Sequence, residues 1–303
     1  MEKVIIIGAG PAGISAALYA VRGNLDPLVI NNGIGALEKA EKIENYYGLE
    51  HPLSGQELYD TGIAQAKALG VRMLDAQVLG VVGFDTFVVK TTEGEFETQS
   101  LILATGSKRA APKIPGIKEF EGRGVSYCAI CDAFFYRGKD VAVLGNGDFA
   151  MHEAKELANT ASTVTIYTNG EEPEFTLEGN ISVNTMKIQS VEGDELVSGI
   201  RLAPDMQAQE TDSDTEKAVG EFCHADGLFI AMGTAGSTEI ARQMGAELTE
   251  KGNILVNENM ETTIPGLYAA GDCTGGLLQV ATAVCDGAQA GINAGKYVRS
   301  LNK

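Results

Sequence analysis

The chain has 303 residues, of which 44% are apolar and 21% charged, a composition typical of a globular protein with room for two ordinary domains. Its formal net charge is −18, so no basic surface dominates to neutralise phosphates, and we expect neither nucleic-acid nor membrane binding. The 37 glycines indicate a backbone that approaches ligands or other segments closely at several places.

The first predicted elements are a strand over 3–7, a glycine turn, a helix to about Val21 and a strand over 27–30. Residues 4–21 carry no charge, but three glycines and Pro11 interrupt them, which favours strand, turn and helix over a membrane span or signal peptide. We therefore expect a cytoplasmic protein, whose five cysteines are mostly reduced and whose CxxC is redox-active or metal-binding.

The first glycine turn, Gly8-Ala9-Gly10-Pro11-Ala12-Gly13, has the spacing of a dinucleotide fingerprint between a strand and a helix. In such a turn the first glycine permits the tight bend, the second admits a pyrophosphate, and the third lets helix and strand pack closely. The acidic residue that usually holds the ribose is replaced by Asn31-Asn32 at the end of the second strand. An amide can still bond a hydroxyl, so the turn predicts a dinucleotide site.

Further strands are predicted over 86–91, 95–98 and 101–104, the last leading into Thr105-Gly106. Pro112, Pro115 and Gly116 then indicate a hinge. Beyond it lies Cys128-Ala129-Ile130-Cys131-Asp132. Two residues between the cysteines let one turn of chain close a small disulfide loop, and an adjacent carboxyl can supply or accept a proton. Half a zinc site is the alternative, but Cys223, Cys273 and Cys285 are single and form no second pair.

A second strand–turn–helix follows, with a strand over 140–144, the turn Gly145–Ala150, a helix over about 150–159 and a strand over 163–167. Short strands over 182–190, 196–202 and 219–223 precede a buried strand over 227–231, and the polar tract 204–216 is predicted as an exposed loop.

The last part predicts strands over 254–256 and 266–270 and a closing helix to about Leu301. Gly271-Asp272 follows a strand, where a carboxylate can reach a cofactor hydroxyl, and Gln279-Val280-Ala281 opens the helix. This tail is too short for a domain of its own. We therefore predict an α/β protein of two Rossmann-like, doubly wound, three-layer domains, one inserted in the other: 1–112 plus 243–303, and 113–242.

Together these motifs resemble the low-molecular-weight thioredoxin reductases. The resemblance runs from Val4 to near the C-terminus and also covers Glu44-Asn45-Tyr46 and 258–266. It implies an FAD-containing homodimer whose inserted domain carries the CxxC and reduces thioredoxin. By motif position, Cys131 is the thiol next to the flavin, Cys128 attacks the partner disulfide and Asp132 shuttles protons. The residues that the resemblance assigns to FAD are Gly8, Gly10, Pro11, Ala12, Gly13, Asn45, Thr105, Gly106, Gly271, Asp272, Gln279, Val280 and Ala281.

The chain departs from the family at the second glycine turn. Phe149 stands where the family has a small serine, and we expect its ring to crowd a pyrophosphate. NADPH-dependent members carry a His-Arg-Arg run after the next strand, but this chain reads Tyr167-Thr168-Asn169-Gly170-Glu171-Glu172-Pro173-Glu174. Residues 156–186 contain five Glu and no Lys or Arg, so a 2′-phosphate meets no counter-charge there.

The chain therefore looks like the ferredoxin-dependent flavin thioredoxin reductases, which lack the NADPH motifs. Seven basic residues between positions 108 and 139 form a candidate docking face for an acidic ferredoxin: Lys108, Arg109, Lys113, Lys118, Arg123, Arg137 and Lys139. The alternatives are an NAD(P)H-dependent thioredoxin reductase, a small-molecule dithiol oxidase that uses oxygen, and a degenerate flavoprotein that only binds partners.

Overall fold

The computed structural model describes residues 1–106, 112–204, 220–233 and 236–301, except the side chains of Ile130 and Cys131. Lys108, Arg109 and residues 205–216 of the predicted loop lie outside the described residues. The chain forms two compact units. Unit 1 comprises 1–109 and 235–303, and unit 2 comprises 110–234.

Unit 1 is built on a mixed sheet, whose strands are numbered along the whole chain. They are β1 (Glu2–Ile7), β2 (Leu28–Asn31), β3 (Arg72–Asp75), β4 (Val78–Val82), β5 (Phe87–Thr91), β6 (Gly94–Leu103) and β15 (Leu267–Ala269). Their order is β3-β2-β1-β6-β5-β4, with β15 also paired to β6. Strands β1, β2, β3 and β15 run parallel to their neighbours, whereas β4 and β5 are antiparallel. The continuous Ile, Val and Leu runs of β1, β2 and β6 are buried, as expected for parallel strands covered on both faces.

Small residues let the helices of unit 1 pack closely. Helix α1 (Pro11–Arg22) lies against α6 (Val280–Leu301). A Cβ on Gly287 or Gly291 of α6 would overlap backbone atoms of Ala12 or Ala16 on α1. The core around them is rich in alanine. Helix α2 (Gly55–Ala68) begins with a capping box between Ser54 and Glu57, and α5 (Ser237–Gln243) packs near β4.

Unit 2 contains a parallel and an antiparallel sheet. The strands are β7 (Val125–Ser126), β8 (Asp140–Leu144), β9 (Thr163–Tyr167), β10 (Ser182–Asn184), β11 (Ile188–Gly193), β12 (Val197–Leu202), β13 (Phe222–His224) and β14 (Gly227–Ile230). The parallel sheet has the order β10-β9-β8-β14-β7, and the antiparallel sheet has the order β11-β12-β13. Helix α4 (Asp148–Ala158) packs on β8 and β9, and the short α3 (Ala129–Asp132) packs on α4. A 3-10 turn, Ala133–Tyr136, follows α3.

The predicted α/β class with parallel sheets is confirmed, with local differences. The strands predicted over 95–98 and 101–104 are one strand, β6, because its first half pairs with β5 and its second half with β15. The apolar run 254–256 makes only a single bridge, between Leu248 and Ile254, and forms no strand. Helix α2 and strands β3 and β4 were not predicted.

The unit boundaries, after 109 and after 234, differ from the predicted 112 and 242. Helix α5, which was not predicted and which the boundary predicted at 242 would divide, lies in unit 1. Within the described ranges, none of the helices has both the length and the apolar character that a membrane crossing requires.

Candidate functional site

The first glycine turn leaves open space at one glycine and none at the other two. A Cβ on Gly8, whose φ is +109°, would overlap the Ala104 carbonyl, and one on Gly13 would overlap the Gly8 carbonyl. A Cβ on Gly10, in contrast, would meet no atom within 4 Å. Gly10 precedes Pro11 at the start of α1, and no side chain caps this helix end. The start of α1, which no side chain caps, therefore adjoins space that a phosphate can occupy.

The other predicted cofactor residues of unit 1 gather near this turn and near the start of α6. Gly271, with φ +80°, is so close to Ala12 that a Cβ on it would lie 2.9 Å from the Ala12 methyl group. The side chains of Asn45 and Gln279 are hydrogen-bonded at 3.0 Å, although 234 positions separate them. Val280 and Ala281 form the first turn of α6.

Two carboxyl groups lie beside Gly271. Burial raises the pKa of Asp272 above its ordinary value. Asp286 on α6 accepts a hydrogen bond from the Gly271 N–H at 3.3 Å. Burial, together with Asp272, raises the pKa of Asp286 despite that bond. Sequence reasoning singled out Asp272 and missed Asp286, which no local motif marked.

Thr105 is hydrogen-bonded to Ser237, which is distant from it in sequence but lies in the same unit. Its hydroxyl and the Ser237 hydroxyl are 2.8 Å apart, and each backbone N–H donates to the other's hydroxyl at 3.0 and 2.8 Å. Thr105 therefore fixes the start of α5. Gly106 next to it has φ +84°, and a Cβ added there would meet no atom within 4 Å. Asn31 is likewise engaged, because it donates to Asp75 and accepts from Tyr59. Asn32, in contrast, is exposed.

Cys128 in unit 2 is buried and disulfide-bonded, whereas Cys223 in unit 2 and Cys273 and Cys285 in unit 1 are free thiols. The side chain of Cys131 lies outside the described residues. Of the three thiols only Cys273 is buried. Cys285 is exposed on α6, and Cys223 is half-buried. A disulfide sulfur is not a thiolate ligand, so the state of Cys128 does not favour half a zinc site.

The hydroxyl of Ser126 joins Cys128 to Asp132. It donates to Asp132 Oδ2 at 2.6 Å and accepts the Cys128 N–H at 3.1 Å. Burial raises the pKa of Tyr136, and the nearby charges of Asp132 and Asp226 raise it further. Sequence reasoning missed Ser126, although its position two residues before Cys128 was a signal.

A buried carboxyl group binds the same segment from another side. Glu153 on α4 is 1% exposed, and its Oε2 accepts the Ala129 N–H at 2.6 Å. Burial raises the pKa of Glu153 from 4.5 to about 7, while the bond from Ala129 acts in the opposite direction. Sequence reasoning missed this residue as well, because 24 positions separate the two bonded groups.

Two aromatic side chains are exposed directly after the CxxC. Phe134 is 71% and Phe135 is 68% exposed, and their rings meet edge to face. The guanidinium of Arg137 lies 5.5 Å from the centre of the Phe134 ring, and the Lys139 ammonium lies 5.4 Å from that of Tyr136. Exposed aromatic rings beside cations are typical of protein-docking surfaces.

The second glycine turn has the backbone of a nucleotide site. A Cβ on Gly145 would overlap the Ala231 carbonyl, whereas one on Gly147 would meet no atom within 4 Å. The expectation for Phe149 was wrong: its side chain is 3% exposed, so its ring is buried by protein atoms and is not open to the turn. Asp148, the first residue of α4, is exposed there and brings negative charge to the helix N-terminus.

The acidic segment after β9, residues 171–174, lies against this turn. The Glu174 N–H donates to the Asn146 carbonyl at 2.6 Å, and Glu171, Glu172 and Glu174 are all exposed. One cation also approaches, because the side-chain stem of Lys187 packs over Gly170. Lys155 on α4 is paired with Glu178 at 2.5 Å. Negative charge therefore outweighs positive charge around the turn.

In the described part of the chain, a group of side chains with metal-ligand chemistry comprises Asp140, His224 and Asp226, whose ligand atoms lie within 4.8 Å of one another. It contains no cysteine. Asp226 already accepts the Asp140 N–H at 2.9 Å, and Asp140 accepts the Thr163 hydroxyl at 2.7 Å. These bonds give the carboxylates a structural role.

The sequence pattern of the family described as pyridine nucleotide-disulphide oxidoreductase matches residues 2–287. A thioredoxin reductase of Aquifex aeolicus is 36% identical over 315 residues, covering 99% of this chain and 94% of that protein. The crystal structure of the atypical thioredoxin reductase TRi from Desulfovibrio vulgaris Hildenborough is similar with a TM-score of 0.89 and 38% identity, over 99% of each chain. A ferredoxin-flavin thioredoxin reductase from Clostridium acetobutylicum gives a TM-score of 0.70 at 29% identity, over 98% of each chain. The chain therefore belongs to the pyridine nucleotide-disulphide oxidoreductases, which are flavoproteins, and within them to the low-molecular-weight thioredoxin reductases.

Proposed function

We propose that this protein binds FAD and reduces the disulfide of a thioredoxin through Cys128 and Cys131, with electrons that come from a ferredoxin. The disulfide bond of Cys128 supports the redox role. In each turnover the two thiols give two electrons and two protons to the partner disulfide. They thereby become a disulfide again, and the partner leaves as a dithiol.

The FAD would be held by the first glycine turn and by the residues that meet around Gly271. The open space at Gly10 and the uncapped start of α1 fit the pyrophosphate. Asp272 is half-buried and offers a carboxylate to a ribityl hydroxyl, and the bonded Asn45 and Gln279 offer amides. When bound, FAD supplies a centre that can take up electrons singly and release them in pairs.

In unit 2, Cys128 would attack the partner disulfide and Asp132 would move the proton. The Ser126 hydroxyl fixes the Asp132 carboxyl beside the Cys128 backbone, which keeps a proton carrier close to the reacting thiol. We propose that Phe134 and Phe135, exposed directly after this segment, contact the partner protein.

The observation that carries the choice of donor is the charge around the second glycine turn. Asp148, Glu171, Glu172 and Glu174 are exposed there, and they would repel the phosphates of NADPH. A ferredoxin needs no such site. The similarity to the Clostridium acetobutylicum ferredoxin-flavin thioredoxin reductase supports this proposal.

An NAD(P)H-dependent reductase is the second candidate. It is favoured by the open space at Gly147, by the burial of Phe149 and by the position of Lys187 over Gly170. One cation among several carboxylates is a weak phosphate site, which is why we place this candidate second.

Anaerobic titration of the purified protein with NADPH, NADH and reduced ferredoxin, followed by flavin absorbance, separates these candidates. We expect bleaching by ferredoxin alone and return of the colour when oxidised thioredoxin is added. Bleaching by stoichiometric NADPH or NADH would overturn the choice of donor, and a colourless protein would overturn the flavin assignment. The flavin of Cys128→Ser should still be bleached by reduced ferredoxin, but this variant should not reduce thioredoxin.

We also propose that the protein is a homodimer, as the family resemblance implies, and that it is cytoplasmic. Light scattering of the purified protein should then give twice the chain mass of 31.9 kDa. A mass equal to one chain would contradict the dimer.

A further inference from the structure

Glu153 is an unusual residue for the interior of unit 2. Among the residues that the structure describes, it is the one carboxylic or basic side chain that is buried, at 1% exposure. Its Oε2 accepts the Ala129 N–H at 2.6 Å, but its Oε1 is buried with no hydrogen-bond partner among the described residues. A buried carboxyl oxygen left unpaired costs free energy, so its retention calls for a physical explanation.

The bond from Ala129 connects Glu153 to the redox segment. The Ala129 nitrogen is bonded directly to the carbonyl carbon of Cys128, and Ala129 is the first residue of α3. The Glu153 carboxyl therefore lies one hydrogen bond from the peptide group that joins Cys128 to Ala129, and both Glu153 and Cys128 are buried. A charge in such a place acts strongly on its neighbours because it is little screened.

We propose that Glu153 is a positioning residue of the redox pair, which holds the CxxC segment through Ala129 and whose charge controls how readily Cys128 forms a thiolate. A neutral carboxyl leaves the thiolate unopposed, whereas an ionised one opposes it as a like charge. The raised pKa of Glu153, about 7, places this change of charge near neutral pH. The inference deepens the proposed function, since it rests on Cys128 acting as a redox thiol.

Other titratable groups lie on α4 and on the elements packed against it. Glu156, on the same helix, adds to its raised pKa. Lys155 lies on the same helix but is paired with Glu178. Helix α4 itself and the elements packed against it carry further titratable groups, which the interpretation of any pH profile must take into account. They are His152 on α4 itself, Asp132 on α3, Tyr136 on the 3-10 turn, Asp140 on β8 and Tyr167 on β9.

The test is the pKa of the Cys128 thiol, measured in the flavin-bound, full-length Cys131→Ser protein. Iodoacetamide labelling of the Cys128 peptide is followed by mass spectrometry from pH 5 to pH 10. Limited access of the reagent slows labelling at every pH alike and does not displace the midpoint, and burial of the thiol acts equally on the proteins that are compared. Glu153→Gln keeps an acceptor for the Ala129 N–H and removes the charge. We expect the midpoint of its labelling profile to fall by about one pH unit, so that labelling at a pH below the midpoint is about tenfold faster.

Glu195→Gln, an exposed change in the same unit, is the matched control and should not move the midpoint. An unchanged midpoint in Glu153→Gln would overturn the inference and leave the reductase proposal intact, because neither thioredoxin nor an electron donor takes part. If Glu153→Gln does not fold, infrared difference spectra of the wild-type protein decide. Disulfide reduction at pH 7 should then change a protonated-carboxyl band, and the absence of any change would overturn the inference.

Discussion

Ser126 gives the redox segment its local order. Its hydroxyl group donates a hydrogen bond to the Asp132 carboxyl and accepts one from the Cys128 N–H, so both bonds are lost when the hydroxyl is removed. Ser126 is buried, and water cannot easily replace the hydroxyl when it is removed. The residue therefore matters both for stability and for the proton carrier.

We predict that Ser126→Ala lowers the free energy of unfolding by about 1–3 kcal/mol, because the buried Cys128 N–H loses its acceptor. We expect thioredoxin reduction to slow by about tenfold, since the Asp132 carboxyl loses the bond that holds it. Denaturant unfolding and steady-state kinetics measure the two effects. Ser198→Ala, which removes an exposed hydroxyl, is the control and should change neither. Wild-type values for Ser126→Ala would contradict the assigned role.

Glu153 also predicts how stability depends on pH. Its pKa is about 7 in the folded protein and near 4.5 when exposed. Between these values the folded protein binds a proton that the unfolded chain has released. The free energy of unfolding therefore falls as the pH rises through this window, by up to about 3 kcal/mol, and stays lower above pH 7. Below about pH 4.5 the contribution is complete.

Urea unfolding at pH 5 and pH 8 tests this dependence. The stability of Glu153→Gln relative to the wild type should increase between the two pH values, because glutamine does not titrate. Parallel pH dependences for the two proteins would show that the Glu153 carboxyl titrates normally in the folded state.

At the scale of elements, the two strand–turn–helix motifs provide a matched pair. Gly10 and Gly147 both precede a helix that no side chain caps, both have negative φ, and both have open space where a Cβ would lie. Alanine should therefore be tolerated by the fold at either position. The two turns differ in the ligand that we expect each to bind.

We predict that Gly10→Ala folds but binds FAD at least tenfold more weakly, because the added methyl group occupies the space that the pyrophosphate needs. Gly147→Ala should keep its FAD and its activity with ferredoxin. Flavin absorbance per chain and circular dichroism measure cofactor content and folding. Full flavin content in Gly10→Ala would contradict the proposed FAD site. Loss of electron uptake from NADPH or NADH in Gly147→Ala would favour a nucleotide donor.

Elements were predictable where the sequence determines them locally. The glycine turns and the apolar strands β1, β8 and β9 follow from short patterns, and the structure places them within a residue or two of the predicted bounds. Phe149 was interpreted wrongly because its orientation depends on how α4 rotates onto the sheet. The contacts of Ser237 with Thr105 and of Glu153 with Ala129 join distant parts of the chain, so no local pattern could reveal them.

At the scale of the whole molecule, charge bears on the encounter with an acidic donor. The net charge of −18 would repel a ferredoxin, so a local basic surface is needed to bring it close. Lys113 and Lys118 are exposed members of the predicted basic face. Arg123 is exposed too, but its guanidinium also bonds the Glu119 and Glu195 carbonyls.

We predict that changing Lys113 and Lys118 together to Gln slows reduction of the flavin by ferredoxin by about threefold to tenfold at low salt, and by less at high salt. Lys251→Gln in unit 1 removes an exposed charge elsewhere and is the control. Stopped-flow absorbance at two ionic strengths measures the rates. Equal rates in the double variant and the control would mean that the donor docks elsewhere.

The two-part composition of unit 1 has a consequence for biosynthesis. Helix α6 is the last element of the chain, yet it covers α1, one of the first. At a synthesis rate of about 5–20 residues per second, α1 waits on the order of tens of seconds for its cover. Meanwhile unit 2, which is continuous in sequence, can fold. The nascent protein thus exposes an alanine-rich helix until α6 has been synthesised, which makes the first strand–turn–helix a segment for chaperones to shield.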